Sequence, residues 1–294
     1  MFDHIALLAQ LADVVELLDT FMVRFPWMFV AWMVVIGGTI GSFLNVVVFR
    51  LPAGMSIVHP PSRCPKCETP IRSFDNIPVL GWILLGGKCR NCRLPISVRY
   101  PIVEAIVAAL FGALAFAIAY GTHDERNVLS EFAKFVYFAN GCTCLLAFAL
   151  IDYDGHLFPR RLTVYTILTG VAPPAVAQLA WSNASGLLVA KDNTYSLVHL
   201  AASVVLAGIL ASFLSRTTNR RGNFILTSMI AGILVGPVSL AMVLAASIVN
   251  YIAARFSHDA ENSRARRIVM PVPVLVALTI SVVFVHVYRG SALF

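Results

Sequence analysis

Apolar runs of roughly span length follow one another along almost the whole chain, parted by short charged segments, and this pattern leaves few folds open. A helix needs about 20 largely apolar residues to cross the hydrocarbon core of a bilayer. Eight runs meet or approach that length: 27–49, 101–120, 133–151, 162–181, 195–214, 224–236, 237–254 and 268–288. With 59% of the 294 residues hydrophobic and 13% charged, a bilayer is the only reasonable solvent for most of the chain. The expected class is an all-α polytopic membrane protein with about eight transmembrane helices. The sixth and seventh runs share one apolar stretch broken at Gly236-Pro237, and the 13 residues of 224–236 read either as a strongly thinned span or as a re-entrant segment.

Lys and Arg set the expected orientation, because basic loops stay on the cytoplasmic side. Of the 22 in the chain, 17 fall between Arg50 and Arg99, at Arg160-Arg161, in 215–223 and in 255–267. Those four segments share one side of an eight-span layout, which puts both termini outside. The alternate loops agree: 121–132 reads GTHDERNVLSEF and 182–194 carries a single lysine. The net charge of +7 therefore needs no nucleic-acid partner; topology accounts for it. Before Phe25 there are acidic residues and no cleavage pattern, so the first span is expected to act as its own targeting signal. No period of 20 to 50 residues recurs. Three parts are expected: 1–50 with the first span, a cytoplasmic loop domain over 51–100, and a transmembrane domain over 101–294.

A unit as small as 51–100 commonly needs a metal or disulfides to hold its shape. It contains RCPKC and KCRNC, two Cys-x-x-Cys pairs formed by Cys64 with Cys67 and Cys89 with Cys92, each followed by Pro-Ile. Two such knuckles can close a tetrahedral thiolate shell around Zn²⁺, and a reducing compartment argues against disulfides. Four thiolates leave no open position for a catalytic water, so this zinc would be structural. His59 reads as a surface residue, and Cys142 and Cys144, inside an apolar run, as small hydrophobes.

The segment GSFLNVVVFRLP (41–52) followed by SRCPKCETPIRSFDNIPVLGWILLGGKCRNCRLPISVRYPIVE (62–104) resembles the amino-terminal domain of bacterial type IV prepilin leader peptidases, over about a fifth of the chain. Farther on, LIDYDGHLFPRRLT (150–163) resembles the family segment that carries the first catalytic aspartate, which makes Asp152 the match, and MPVPVLVA (270–277) resembles an Ile-Pro-Phe-Gly-Pro segment. The resemblance implies an intramembrane aspartyl protease in which two aspartates hold a water at the cytoplasmic membrane face. It also implies prepilin or pseudopilin-like membrane substrates and, in many relatives, methylation of the new amino-terminus from S-adenosylmethionine. One carboxylate must be ionised and the other protonated, a split that close carboxylates impose on each other.

The second aspartate of that family stands in Gly-x-Gly-Asp-Phe-Lys, and the aligned stretch here is RRGNFI (220–225). Asn223 occupies the aspartate position, Arg220 replaces the first glycine and Ile225 the lysine. An amide cannot take or share the proton. Because the neighbours differ too, natural divergence fits better than a single engineered change. Arg160 after Pro159, where the family is usually acidic, fits the same relaxation. Asp154 lies two residues from Asp152 and points elsewhere if that segment is helical, while Asp259 and Glu261 read as solvated surface.

Asp152 therefore reads either as a catalytic acid or as a polar residue at a helix end, and His156 as interfacial. Gly37 and Gly41, like Gly232 and Gly236, read as close helix packing. Asn45, Arg99, Tyr100 and Glu104 flank the loop at span ends, where they either line a site or position the loop. No strand, glycine-rich loop and helix in series marks a methyl-donor site, so any S-adenosylmethionine site rests on the resemblance alone. Three functions stay open: an active prepilin peptidase using Asp152 with another partner, an inactive member that binds prepilins as a scaffold or regulator, and a methyltransferase only. Oligomeric state is not legible.

Overall fold

The computed structural model describes residues 24–120, 128–181, 197–214 and 221–235, together with isolated positions elsewhere. The expected spans 237–254 and 268–288, the 255–267 loop with Asp259 and Glu261, Arg220, and most of 270–277 lie outside the described residues. The described residues are helical and contain no strand; their only β-type pairing is two isolated bridges. We number the helices α1 (Pro26–Arg50), α2 (Leu80–Leu84), α3 (Arg99–Tyr120), α4 (Val128–Tyr153), α5 (Arg160–Trp181), α6 (Leu197–Leu214) and α7 (Arg221–Val235), with a 3₁₀ turn at Ser73–Asn76. Three stretches, Pro26–Arg50, Arg99–Tyr120 and Glu131–Tyr153, are long and apolar enough to cross a membrane. They coincide with the first three expected spans. Helix α7 has 15 described residues, and the chain beyond Val235 lies outside the described residues apart from isolated positions.

Two compact units divide the chain. In the first, which holds residues up to Asn45 and Val58–Ala139, small residues let α1 and α3 approach backbone to backbone. A Cβ on Gly37 would stand 2.7 Å from Phe111 Cβ and 2.8 Å from the Val107 carbonyl, and one on Gly41 would stand 2.8 Å from Glu104 Cα. The expected close packing at this pair is thus observed, and Gly112 answers from α3, where a Cβ would meet Val34 at 2.6 Å. Phe135 of α4 closes this core, edge-on to both Phe29 and Phe111 with ring centroids 5.9 and 5.6 Å apart.

The second unit holds Val46–Ile57 and the chain from Asn140 to His286. Its α7 packs against α6 and α5. Gly208 of α6 gives room to Met229, and the Thr227 and Ser228 hydroxyls turn back onto the carbonyls of Asn223 and Phe224 at 2.8 Å each, so that α7 carries polar groups inward at no hydrogen-bonding cost. Cys142 and Cys144 are buried on α4, as small hydrophobes would be.

Candidate functional site

The four loop cysteines converge. Cys64 Sγ lies 3.6 Å from Cys92 Sγ, Cys67 Sγ 3.9 Å from Cys89 Sγ, and all four sulfurs lie within 4.8 Å of one another. A Zn–S bond of 2.3 Å in tetrahedral geometry gives S···S edges of about 3.8 Å, so the cluster has the dimensions of a thiolate metal site. Each pair sits in the same backbone turn. The Cys64 and Cys89 N–H groups bond the carbonyls of Thr69 and Leu94, the Glu68 and Arg93 N–H groups return to Cys64 and Cys89, and the bridges Arg63–Pro70 and Lys88–Pro95 close the turns. Glu68 and Arg93 both take positive φ, 54° and 58°. Every one of these correspondences is a shift of 25 residues, so the loop holds a local two-fold repeat that the sequence reading passed over.

Electrostatics favours a cation at the centre. Pairing with the Thr69 hydroxyl and backbone holds the Cys67 thiol down at about 6, and the backbone N–H groups of Cys92 and Asn91 lower Cys89. For Cys92 the Leu94 backbone N–H acts downward, but burial and the three neighbouring thiols outweigh it and push the group up to about 11. Four thiolates this close repel one another unless a positive charge sits among them. Beside the knuckles, Asp75 takes a bidentate pair from Arg90, with Nε to Oδ2 at 2.8 Å and Nη2 to Oδ1 at 2.5 Å, and Arg90 also lies over the Phe74 ring at 5.4 Å. That guanidinium holds Asp75 below the usual carboxylate range. His59 is exposed, away from the thiol cluster.

The polar residues flanking the loop fasten it. Glu104 Oε2, on a buried side chain of α3, accepts the Val79 N–H at 2.6 Å, and Asn45 Nδ2 donates to the Tyr100 carbonyl at 3.2 Å. Trp82 Nε1 donates to the Ile96 carbonyl at 3.0 Å. Val79 is held at φ 61°, a region that β-branched residues rarely adopt, and the Glu104 carboxylate supplies the bond that keeps it there.

A second polar site forms in the other unit, at the end of α4. Gly155, at φ 92°, is the left-handed residue of a Schellman cap, with its N–H on the Asp152 carbonyl at 3.0 Å and the His156 N–H on Ile151 at 3.1 Å. The cap stops the helix just after Asp152 and turns the His156 carbonyl inward, while Phe158 packs back on Phe148 with centroids 4.4 Å apart. In the first turn of α7, Asn223 Nδ2 donates to Asp152 Oδ1 at 2.7 Å and to the His156 carbonyl at 3.0 Å. Asp152 and Asn223 are 2% and 3% exposed. Asp154, by contrast, is exposed beyond the helix end, and so is His156. A Cβ on Gly222 would meet nothing within 4 Å, so the glycine before Asn223 is not required by crowding. Asn140, Tyr165 and Thr169 form a further polar bridge between α4 and α5, at 2.8 and 3.0 Å, which the sequence reading did not single out.

The model of the bacterial peptidase A24 N-terminal domain family matches residues 35–118. A prepilin leader peptidase/N-methyltransferase of Klebsiella pneumoniae is 33% identical over 207 residues, 68% of this chain and 77% of the relative. A type 4 prepilin-like proteins leader peptide-processing enzyme of Escherichia coli O78:H11 is 34% identical over 224 residues, 70% of this chain and 77% of the relative. A prepilin leader peptidase/N-methyltransferase of Myxococcus xanthus is 38% identical over 147 residues, but the match spans 49% of this chain and only 40% of the relative's own length. No solved structure matches the chain.

Proposed function

Because the chain belongs to the prepilin leader peptidase/N-methyltransferase family, we propose that it engages prepilin-like membrane substrates at Asp152 but cleaves their leaders far more slowly than a member with two aspartates. The observation that carries this reading is the 2.7 Å bond from Asn223 Nδ2 to Asp152 Oδ1. An amide in that place can donate a hydrogen bond, but it can neither share a proton with Asp152 nor give one up to a developing tetrahedral intermediate. Peptide hydrolysis by a carboxylate pair needs one group to accept a proton from water while the other protonates the substrate carbonyl. With Asn223 the first role remains and the second is gone. Loss of one positioned acid or base costs on the order of 10²–10⁴ in rate. The near-isosteric amide keeps the surrounding geometry, so binding persists where chemistry is lost.

In this reading the Cys64, Cys67, Cys89 and Cys92 cluster holds one structural zinc, and the eight-span layout puts it and the Asp152 end of α4 on the cytoplasmic side of the inner membrane, where the basic segments fall. The relatives' names include N-methyltransferase, and a donor site for S-adenosylmethionine is carried by that likeness alone: the described residues contain no strand, and hence no strand, glycine-rich loop and helix in series.

The test uses the purified chain in liposomes with a leader-bearing prepilin, scoring capture by co-purification and cleavage by the mass shift of the substrate. Capture with cleavage at least about 10²-fold slower than that of a two-aspartate relative supports the proposal. Cleavage at a comparable rate that Asp152→Ala abolishes would mean that another acid serves as partner, and cleavage that survives Asp152→Ala would remove Asp152 from the chemistry. Methyl transfer from S-adenosylmethionine to a pre-cleaved pilin, with no cleavage of the precursor, would favour the methyltransferase-only reading.

A further inference from the structure

Between Asp75 and Lys88 the loop reads NIPVLGWILLGG, twelve residues without a charge, and it contains the short helix Leu80–Leu84. Leu80, Ile83 and Leu84 are 55%, 57% and 78% exposed. A run of this length is too short to cross a bilayer and falls in the range of re-entrant and interfacial segments.

Its position along the helices it touches says which solvent faces it. A Cβ on Gly38 would meet Pro78 Cβ at 3.1 Å and Ala108 Cβ at 3.9 Å. Gly38 stands twelve residues from Arg50 at the charged end of α1, and Glu104, which takes the Val79 N–H, five residues from Arg99 at the charged end of α3. At 1.5 Å per residue these are depths of about 18 and 8 Å, against a half-thickness of about 15 Å for the hydrocarbon core. Both helices are among those long and apolar enough to span. A segment packed against them at that depth is surrounded by acyl chains unless protein covers it.

The backbone is prepared for such a solvent, which offers no hydrogen bonds. The N–H of Val79 goes to Glu104, and those of Leu80, Gly81, Ile83, Leu85, Gly86 and Gly87 go to carbonyls of Pro78, Ile77, Val79, Gly81, Ile83 and Trp82 at 2.6–3.2 Å. Gly81 allows the tight return, since a Cβ there would overlap the Asp75 carbonyl. Trp82 shuts the base by bonding Ile96, whose own N–H bonds Gly87 at 2.7 Å. Glu104, an acid set into a membrane span, has this wedge's backbone as its partner.

We propose that residues 76–87 are a re-entrant wedge that inserts into the leaflet on the side of the thiol cluster, with Leu80, Ile83 and Leu84 facing lipid acyl chains. The wedge anchors the two knuckles at the membrane surface. The test places the photoreactive residue p-benzoylphenylalanine singly at Leu84, Leu80, Ile106 and Lys66 in the full chain, reconstituted in phospholipid nanodiscs and irradiated. The proposal expects phospholipid adducts by mass spectrometry at positions 84 and 80, as at the exposed α3 position 106, and none at the knuckle position 66. Absence of lipid adducts at both 84 and 80 while position 106 yields them would overturn it, as would crosslinks from 84 and 80 to a second copy of the chain or to another protein. A further variant separates the clamp from the wedge: Glu104→Ala should lower the lipid adduct yield at 84, and Glu104→Gln, which keeps an acceptor oxygen for Val79, should restore it.

Discussion

The thiol cluster and the Asp152–Asn223 pair are both small polar constructions built where one helix or turn ends and another begins, yet they differ in what their groups can do. In the loop every group that the chemistry of a thiolate metal site requires is in place: four sulfurs, two equivalent turns, and an ion pair beside them. At the end of α4 the frame is equally complete, with the Schellman cap at Gly155, the inward His156 carbonyl and the first turn of α7, but the group that meets Asp152 is an amide. Asn223 satisfies two acceptors at once, which makes it a good structural residue and a poor proton carrier.

The largest effect that would sharpen this contrast lies in the loop. Cys89→Ser should drop zinc from one equivalent per chain to under half by elemental analysis, and should open 51–100 to limited proteolysis, because metal binding supplies about 10–16 kcal/mol in zinc-finger peptides and so small a unit has little else. A full equivalent of zinc retained in Cys89→Ser would break the comparison. At the second site the effect is smaller. Asp152→Ala leaves a buried amide donor with one acceptor fewer and should cost about 1–3 kcal/mol in detergent unfolding, whereas Asp152→Asn, which keeps an acceptor oxygen, should cost less. Equal losses for the two would mean that the bond to Asn223 contributes little.

The smallest effect concerns Asp75. Arg90 holds its carboxyl low, so the pair's contribution is complete above the ordinary carboxylate pKa of about 4 and is lost as pH falls through the lower folded value. An isotope-edited titration of Asp75 should show its midpoint below about 4 in the parent and back near that value in Arg90→Ala. An unchanged midpoint would remove the ion pair from the loop's structure.

The two regions also differed in how much the chain disclosed. Cys-x-x-Cys-x-x-Pro-Ile at 64–71 and again at 89–96 carries its own geometry, because the spacing sets the turn, and writing the two runs one above the other exposes the 25-residue repeat. The α1–α3 contact was legible in Gly37 and Gly41 for the same local reason. Glu104 was noticed only as a polar residue at a span end; its partner, the Val79 N–H, is a backbone group 25 residues away with no mark in the sequence. The wedge was hidden inside a loop of otherwise charged composition, since twelve uncharged residues are too few to register as a span. Asn223 meets Asp152 across 71 residues, and only the resemblance, not periodicity or spacing, pairs them before the coordinates do.

Restoring the acid tests the central claim most directly. In Asn223→Asp the new carboxyl would lie within hydrogen-bond reach of Asp152, and because both cannot ionise so close together one proton must be held between them, which is the shared-proton state a carboxylate pair needs. Measured with the purified variant and a leader-bearing prepilin, cleavage should rise by about 10²-fold or more over the parent and vanish when Asp152→Ala is added. It should stay below that of a two-aspartate relative, because Arg220 and Ile225 still depart from the family's pattern. A variant that binds prepilin as the parent does and cleaves no faster would contradict the account.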